Sequence, residues 1–314
     1  MSRARTIFLG SGAFGVPTLH ALIRHPSVEL VGVVTAPARP VGRRQVLTPT
    51  PLATAADLPV PILVPQRLRA SEAIAEILEL RPELAVLADY GQLVPAPILE
   101  LPHGALNLHP SLLPRHRGAT PIPATILAGD ASTGVTLIRM DAGLDTGPIL
   151  VQQRRRLTGT ETAPELESDL AIRGATLLEQ SLDGYLTGEL QPHPQPEDGA
   201  TLTRPLRRED GRMDARRPAV ELERQVRAYQ PWPGTWLETT AGRLGVLAAE
   251  VEALDLGGEP GRLLGDGRSL AITTGAGRLR LVRVRPEGGK EMDPLAFLNG
   301  RPAFLREARL IPAG

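Results

Sequence analysis

The 314-residue chain has no cysteine, which excludes disulfides, thiolate metal sites and a cysteine nucleophile together. Aromatic residues make up only 3% of it, so Leu, Val, Ile and Ala must fill the core. Lysine is nearly missing: Lys290 is the only one, and every other basic side chain is an arginine. No run is apolar for the roughly 18 residues that a membrane helix needs, so no membrane is expected. The first residues pass straight into the strand pattern Thr6 to Gly10 rather than an apolar segment with a cleavage site. No secretory leader is therefore expected, and the expected location is cytoplasmic.

Net charge is absent too, but its zero hides an asymmetry. Residues 1–202 hold 16 basic and 20 acidic side chains, whereas residues 203–314 hold 19 and 15. A basic C-terminal part is the kind of feature that meets a polyanion.

What is present is a regular alternation. Thr6 to Gly10, Glu29 to Thr35, Leu84 to Ala88, Ala105 to His109 and Val135 to Met140 are short β-rich runs. Amphipathic segments lie between them, such as Ser71 to Leu80, with Ser71 as the expected N-cap. The fold class expected is α/β, a Rossmann-like and mostly parallel sheet with helices on both faces. A long helical pattern from Ala163 to Leu186 closes this unit, taken as residues 1–188. Residues 189–208 carry prolines at alternate positions and read as an extended linker. Beyond them, residues 209–314 combine one helix, near Pro218 to Tyr229, with short strands between Gly-rich turns. That grammar points to a smaller β-barrel, OB-like in type.

Gly10-Ser11-Gly12-Ala13-Phe14-Gly15 fits a dinucleotide-binding turn, after a strand and opening a helix. The acidic residue that such a site needs at the end of the second strand is missing, since that strand ends Val34-Thr35-Ala36-Pro37. No NAD is expected. The glycines read instead as a device for tight packing of the first helix.

The chemistry concentrates at Asn107 and His109, two positions apart on an apolar strand and hence on one face. Asp145, in the glycine-punctuated loop after the strand Val135 to Met140, joins them if the loops after neighbouring strands gather at the carboxyl edge. A carboxylate beside an imidazole orients the ring and suits it to carrying a proton. Each residue alone has an ordinary structural use; the three together suggest a reaction centre. No metal is expected there.

Asn-x-His-Pro-Ser-Leu-Leu-Pro-x-x-Arg-Gly from Asn107 to Gly118, and Asp-x-Gly-x-Asp-Thr-Gly from Asp141 to Gly147, resemble the folate-dependent formyltransferases. Phe8-x-Gly10, Phe14-x-Val16-Pro17, Arg39-Pro40-x-Gly42-Arg43, Tyr90-Gly91, Pro231-Trp232-Pro233-Gly234-x-Trp236 and Gly289-Lys290-x-Met292 extend the likeness to nearly the whole chain. They narrow it to the branch whose acceptor is methionine on initiator tRNA. The resemblance implies transfer of a formyl group from 10-formyltetrahydrofolate, with Asn107, His109 and Asp145 as the catalytic set. It places the folate along Leu87, Asp89, Tyr90 and Gly91 on one loop and Ser111, Leu112, Leu113 and Pro114 on another. Asp89 departs from the family, where a small apolar residue is expected, as does Pro123.

For the tRNA, the resemblance and the charge pattern point to Arg39, Arg43 and Arg44 in a Pro/Gly loop, Arg204, Arg207 and Arg208 at the junction, and Lys290. Arg278, Arg280, Arg283 and Arg285 form a stripe that could follow phosphates. Trp232 and Trp236 are expected in the core of the second domain. A monomer is expected. A sugar-nucleotide formyltransferase, a formyltetrahydrofolate hydrolase and a non-catalytic RNA-binding protein stay open as alternatives. Whether His109 or Asp145 takes the proton stays open as well.

Overall fold

The apolar runs of the first half become strands because both of their faces are covered. Ile7, Phe8 and Leu9 are fully buried, as is every residue of Leu84–Ala88. In the computed structural model, which describes residues 3–41, 45–55, 58, 60–252, 259–265 and 269–312, they build a seven-stranded sheet. Its order is Ile149–Arg156, Ser132–Arg139, Ala105–His109, Leu84–Ala88, Ala4–Gly10, Val28–Val34, Ile62–Leu63. The last five run parallel. Ser132–Arg139 lies antiparallel to both of its neighbours.

Helices cover both faces of this sheet. Ile77, on the helix Ser71–Glu79, packs with Ile7, Leu9, Ala85 and Leu87 on one side. On the other, the helix Ala163–Thr187 brings Gly174 against Leu108 and Val135. The expected N-cap Ser71 is instead the first helical residue, and Ala70 holds the cap position without a side-chain bond. Of the glycines in the Gly10–Gly15 turn, Gly10 and Gly15 serve close packing. A Cβ on Gly10 or Gly15 would stand 2.8 or 2.9 Å from the Ala88 carbonyl oxygen.

The chain forms two compact units: Met1–Pro121, Ser132–Arg156 and Leu166–Arg204 in one, and Ile122–Ala131, Leu157–Glu165 and Pro205–Gly314 in the other. The second unit is built on an antiparallel sheet in the order Thr235–Thr239, Gly242–Glu252, Arg278–Pro286, Leu270–Thr273, Leu263–Gly265. Two register shifts near Ala248 curl its longest strand, as bulges do, giving a small barrel-like sheet. The helix Ala219–Ala228 supplies Leu222 and Val226 to a core shared with Leu244, Leu279, Leu281, Phe297 and Phe304. The strand Leu263–Gly265 and the helices Pro294–Gly300 and Phe304–Glu307 had no clear sequence signal. No helix among the described residues is long and apolar enough to cross a membrane.

Candidate active site

Alternation along Ala105–His109 sends Leu106 and Leu108 into the core, and Asn107 and His109 to the opposite face. His109 is only 4% exposed. Its Nε2 lies 2.8 Å from the carbonyl oxygen of His116. A carbonyl can only accept, so that nitrogen carries the hydrogen, and any proton on Nδ1 points away from it. Nδ1 faces the Asp145 carboxylate at 3.6 Å.

Asp145 does reach Asn107 and His109, but not by the route expected. The strand before it is antiparallel to Ala105–His109, with Arg139 opposite Leu106 and Thr136 opposite His109. Its carboxyl end therefore lies at the amino end of Ala105–His109. The following loop doubles back, with Asp145 in the left-handed region at φ 53°. There its carboxylate accepts from Asn107 Nδ2 at 3.3 Å and from the Gly118 amide at 2.8 Å. Asn107, His109 and Gly118 thus gather around a carboxylate that is 27 to 38 positions away in sequence.

The loop Ser111–Pro114 is fastened from behind. Thr136 Oγ1 donates to the Ser111 carbonyl and accepts from the Leu113 amide, and Gln152 donates to the Leu113 carbonyl. Ser111 and Leu113 are buried, whereas Leu112 and Pro114 are half-buried.

One strand over, Ser11 donates its amide to the Asp89 carbonyl at 2.9 Å, and the Ser11 hydroxyl accepts from the Ala36 amide. Asp89 also has a positive φ, of 54°. Its carboxylate fills the notch left by Gly12: a Cβ there would stand 1.5 Å from Oδ2. Surrounding protein pushes the Asp89 carboxyl above its usual range by desolvation, even though the residue itself opens onto solvent. Glu167 is pushed up likewise, by burial first and by the charge of Asp89 second. Burial also raises the Tyr90 phenol to about 12, and its hydroxyl is buried without a partner among the described residues. Asp89, Tyr90, Gly91, Ser11, Arg39 and Thr50 help to line a cleft of about 380 Å³.

Arg39 is exposed and begins the short hairpin Arg39–Val41 and Val46–Thr48. Arg43 and Arg44 lie outside the described residues. Arg204, Arg207, Arg208 and Lys290 are exposed. The arginine stripe is less available than its sequence suggests. Glu250 and Glu252 stand opposite Arg280 and Arg278 in the ladder, and Arg280 pairs with both acids. Arg283 is paired with Glu291. Trp236 is in the core as expected, beneath the Arg243 guanidinium at 4.6 Å. Trp232 is not: it is 56% exposed, between two prolines in the turn after the helix Ala219–Ala228.

Sequence reasoning missed Gln195. Its Nε2 donates to the carbonyls of Asp145 and Gly147, each at 2.7 Å, and its Oε1 accepts from Arg117. The only signal was a lone amide between Pro194 and Pro196 in a segment read as a linker. That segment is sewn to the first unit, where His193 bridges to Ile149 and Leu202–Thr203 pairs with Arg117–Gly118.

Comparison with known proteins gives this geometry a context. Among curated relatives, the methionyl-tRNA formyltransferase of Roseiflexus castenholzii is 41% identical, over 94% of this chain and 96% of its own length. That of Halorhodospira halophila is 42% identical over 98% of both. Among solved structures, a Helicobacter canadensis N-formyltransferase in complex with folinic acid and dTDP-3-aminofucose superposes with a TM-score of 0.64 at 15% identity, over 88% of this chain and 98% of that one. HypX from Aquifex aeolicus in complex with tetrahydrofolic acid gives 0.63 at 18% identity, over 97% of this chain and 48% of that one. At such identities these structures share the fold. A sequence model described as formyl transferase matches residues 4–182, and one described as its C-terminal domain matches residues 205–302. Matched across both units, and by relatives along almost its full length, the chain belongs to the formyl transferase family.

Proposed function

We propose that this protein transfers the formyl group of 10-formyltetrahydrofolate to the α-amino group of methionine carried by initiator tRNA. The observation that carries the reading is the convergence of Asn107 and His109 on the Asp145 carboxylate. The acceptor is proposed from the relatives of above 40% identity.

The chemistry asks little of the protein as a nucleophile. An α-amine has an unperturbed pKa of roughly 7.7–8.0, so an appreciable fraction is already free base near neutral pH. Its lone pair attacks the formyl carbon, a C–N bond forms, and the carbonyl oxygen becomes an oxyanion. The second N–H of Asn107 is free to donate to that oxygen while the first holds Asp145. His109, with Nε2–H spent on His116, has Nδ1 for proton traffic, and Asp145 faces that nitrogen. The proton lost by the amine is taken up by this pair. The oxyanion then reforms the carbonyl, the bond from the formyl carbon to the folate nitrogen breaks, and that nitrogen leaves with the proton that the pair returns to it.

The folate is proposed to lie along Leu87–Gly91 and Ser111–Pro114. Support comes from the Asp89 carboxylate and the Tyr90 hydroxyl, which line the cleft without partners among the described residues and are acceptors suited to the amino and ring N–H groups of a pterin. Arg39, with Arg204, Arg207, Arg208 and Lys290, is proposed to contact the tRNA backbone, and residues 209–314 to form the tRNA-binding domain. The protein would act as a cytoplasmic monomer.

The test is transfer of labelled formyl from 10-formyltetrahydrofolate to methionine-charged initiator tRNA, beside free methionine, charged elongator tRNA, a nucleotide-linked amino sugar and water. Product on the initiator tRNA alone is expected. Product on the sugar alone would reassign the acceptor, and release of formate alone would make the enzyme a hydrolase.

A further inference from the structure

Asp145 sits on a glycine-punctuated loop, and nothing in the loop's own sequence explains why its carboxylate points one way. The loop Asp141–Gly147 bonds to itself through Asp141, whose Oδ1 takes the Gly143 amide and the Thr146 hydroxyl. That leaves the backbone carbonyls of Asp145 and Gly147, and both are taken by the one Nε2 of Gln195. The other end of the same amide accepts two bonds from Arg117, at 3.0 Å from Nε and 2.9 Å from Nη2. Arg117 is 7% exposed, and Gln195 is the only acceptor of its guanidinium among the described residues. Its neighbour Gly118 gives its amide to the Asp145 carboxylate. Gln195 and the Arg117–Gly118 strand thus grip Asp145 from two sides, one by the carbonyl and one by the carboxylate.

The grip is anchored at both ends of a short strap. His193 exchanges both backbone bonds with Ile149, just beyond the Asp145 loop. Thr203 is paired with Gly118, and its hydroxyl donates to the Arg117 carbonyl. Extended chain held at both ends fixes where the Gln195 side chain can reach.

We infer that Gln195 is a positioning residue for formyl transfer: by holding the carbonyls of Asp145 and Gly147 against the buried Arg117, it fixes the left-handed backbone of Asp145. That backbone in turn fixes the direction in which the carboxylate meets Asn107 and His109. Gln195 touches no reacting atom in this scheme. The inference rests on the reading of Asn107, His109 and Asp145 as the reaction centre.

Gln195→Glu and Gln195→Met separate the two ends of the amide. The first keeps the acceptor for Arg117 but replaces the donor with an oxygen that faces two carbonyls. The second keeps the length and removes both. Each is expected to lower kcat by about ten- to a hundredfold, as small misplacements of a catalytic group do, with KM for tRNA and folate within about twofold. The pH profile of kcat and the His109 ring titration followed by NMR should both shift. If Gln195→Met does not fold, Gln195→Glu and the shorter Gln195→Asn carry the same test. A lower melting temperature with unchanged kcat, unchanged pH profile and unchanged His109 titration would overturn the inference, leaving Gln195 a structural strap. Asp145→Asn is assayed beside them. If it retains full kcat, the reading of the reaction centre fails. If it loses turnover while the Gln195 variants keep theirs, only the present inference fails.

Discussion

Two neighbouring strand ends carry an aspartate in the same backbone conformation and treat it in opposite ways. Ala105–His109 and Leu84–Ala88 lie side by side, with Leu87 paired to Asn107 and Ala88 to Leu108. Asp145, brought to the first, and Asp89, following the second, have φ values of 53° and 54°. Asparagine and aspartate tolerate that region better than other side chains do. The Asp145 carboxylate is held by two N–H donors and aimed at an imidazole. The Asp89 carboxylate has no hydrogen-bond or ion-pair partner among the described residues and meets a second carboxyl, Glu167, that burial has also pushed up. Partners give a charged group a direction, which catalysis needs. Without them, partial desolvation is a cost that solvent offsets only in part.

The largest effect should come from dismantling the held cluster. Removing one oxyanion donor elsewhere costs about 10²–10³ in turnover, so Asn107→Ala should lose that much in kcat with KM little changed. Asp145→Asn should lose a similar factor, because an amide cannot accept from both Asn107 and Gly118 while facing Nδ1 as a carboxylate. Combined, the two should cost far less than the product of their separate factors, as residues acting as one unit do. Single-turnover formyl transfer at saturating tRNA and folate measures this. Losses below threefold in both variants would place the reaction elsewhere.

How far this contrast could be read beforehand differs between its two halves. Asn107 and His109 share a face by the period of a strand, so their pairing was legible. So were the buried parallel strands, whose apolar runs leave little alternative. Asp145 was legible as a member but not by its route, since sequence does not say that Ser132–Arg139 runs antiparallel. Gln195 was hidden because Pro-Gln-Pro signals only extended chain, and its partners lie 48 to 78 positions away. The fit of Asp89 over Gly12 was illegible for the same reason. Each residue looked like an isolated oddity, one a family departure and the other a packing glycine. The pairing of Arg280 with Glu250 depends on a register set by bulges, which no local pattern announces.

Asp89 offers the next, smaller effect. A carboxyl pushed up in the folded state binds its proton more tightly there than in the unfolded chain. The destabilisation is thus absent below the usual value of 3.8, builds as pH rises from there and is complete above the folded-state value. Asp89→Ala should therefore raise the melting temperature near pH 7, by about 1 °C, with the gain shrinking toward pH 4. Should Asp89 also meet the folate, KM for 10-formyltetrahydrofolate rises in the same variant while KM for tRNA stays fixed. Gly12→Ala sharpens the point, because its Cβ would collide with the Asp89 carboxylate. It should cost stability in the parent and almost none in the Asp89→Ala background, a coupling of about 1 kcal/mol by double-mutant cycle. Additive losses would mean that the notch and the carboxylate are unrelated.

The smallest effect carries the comparison to the second unit, where held and unheld charges recur as cations. Arg280 is paired with Glu250 and Glu252, whereas Lys290 is exposed and has no partner among the described residues. A phosphate contact releases counterions only if the cation is free to make it. Lys290→Ala should therefore reduce the slope of log K for tRNA binding against log salt by about 1. Arg280→Ala should change that slope by less, because a guanidinium already paired with two carboxylates has no phosphate contact to lose. Binding isotherms across a salt series measure both. Equal slopes for Lys290→Ala and the parent, with a clear drop for Arg280→Ala, would reverse the assignment. They would mean that Arg280 leaves its acids to meet the tRNA.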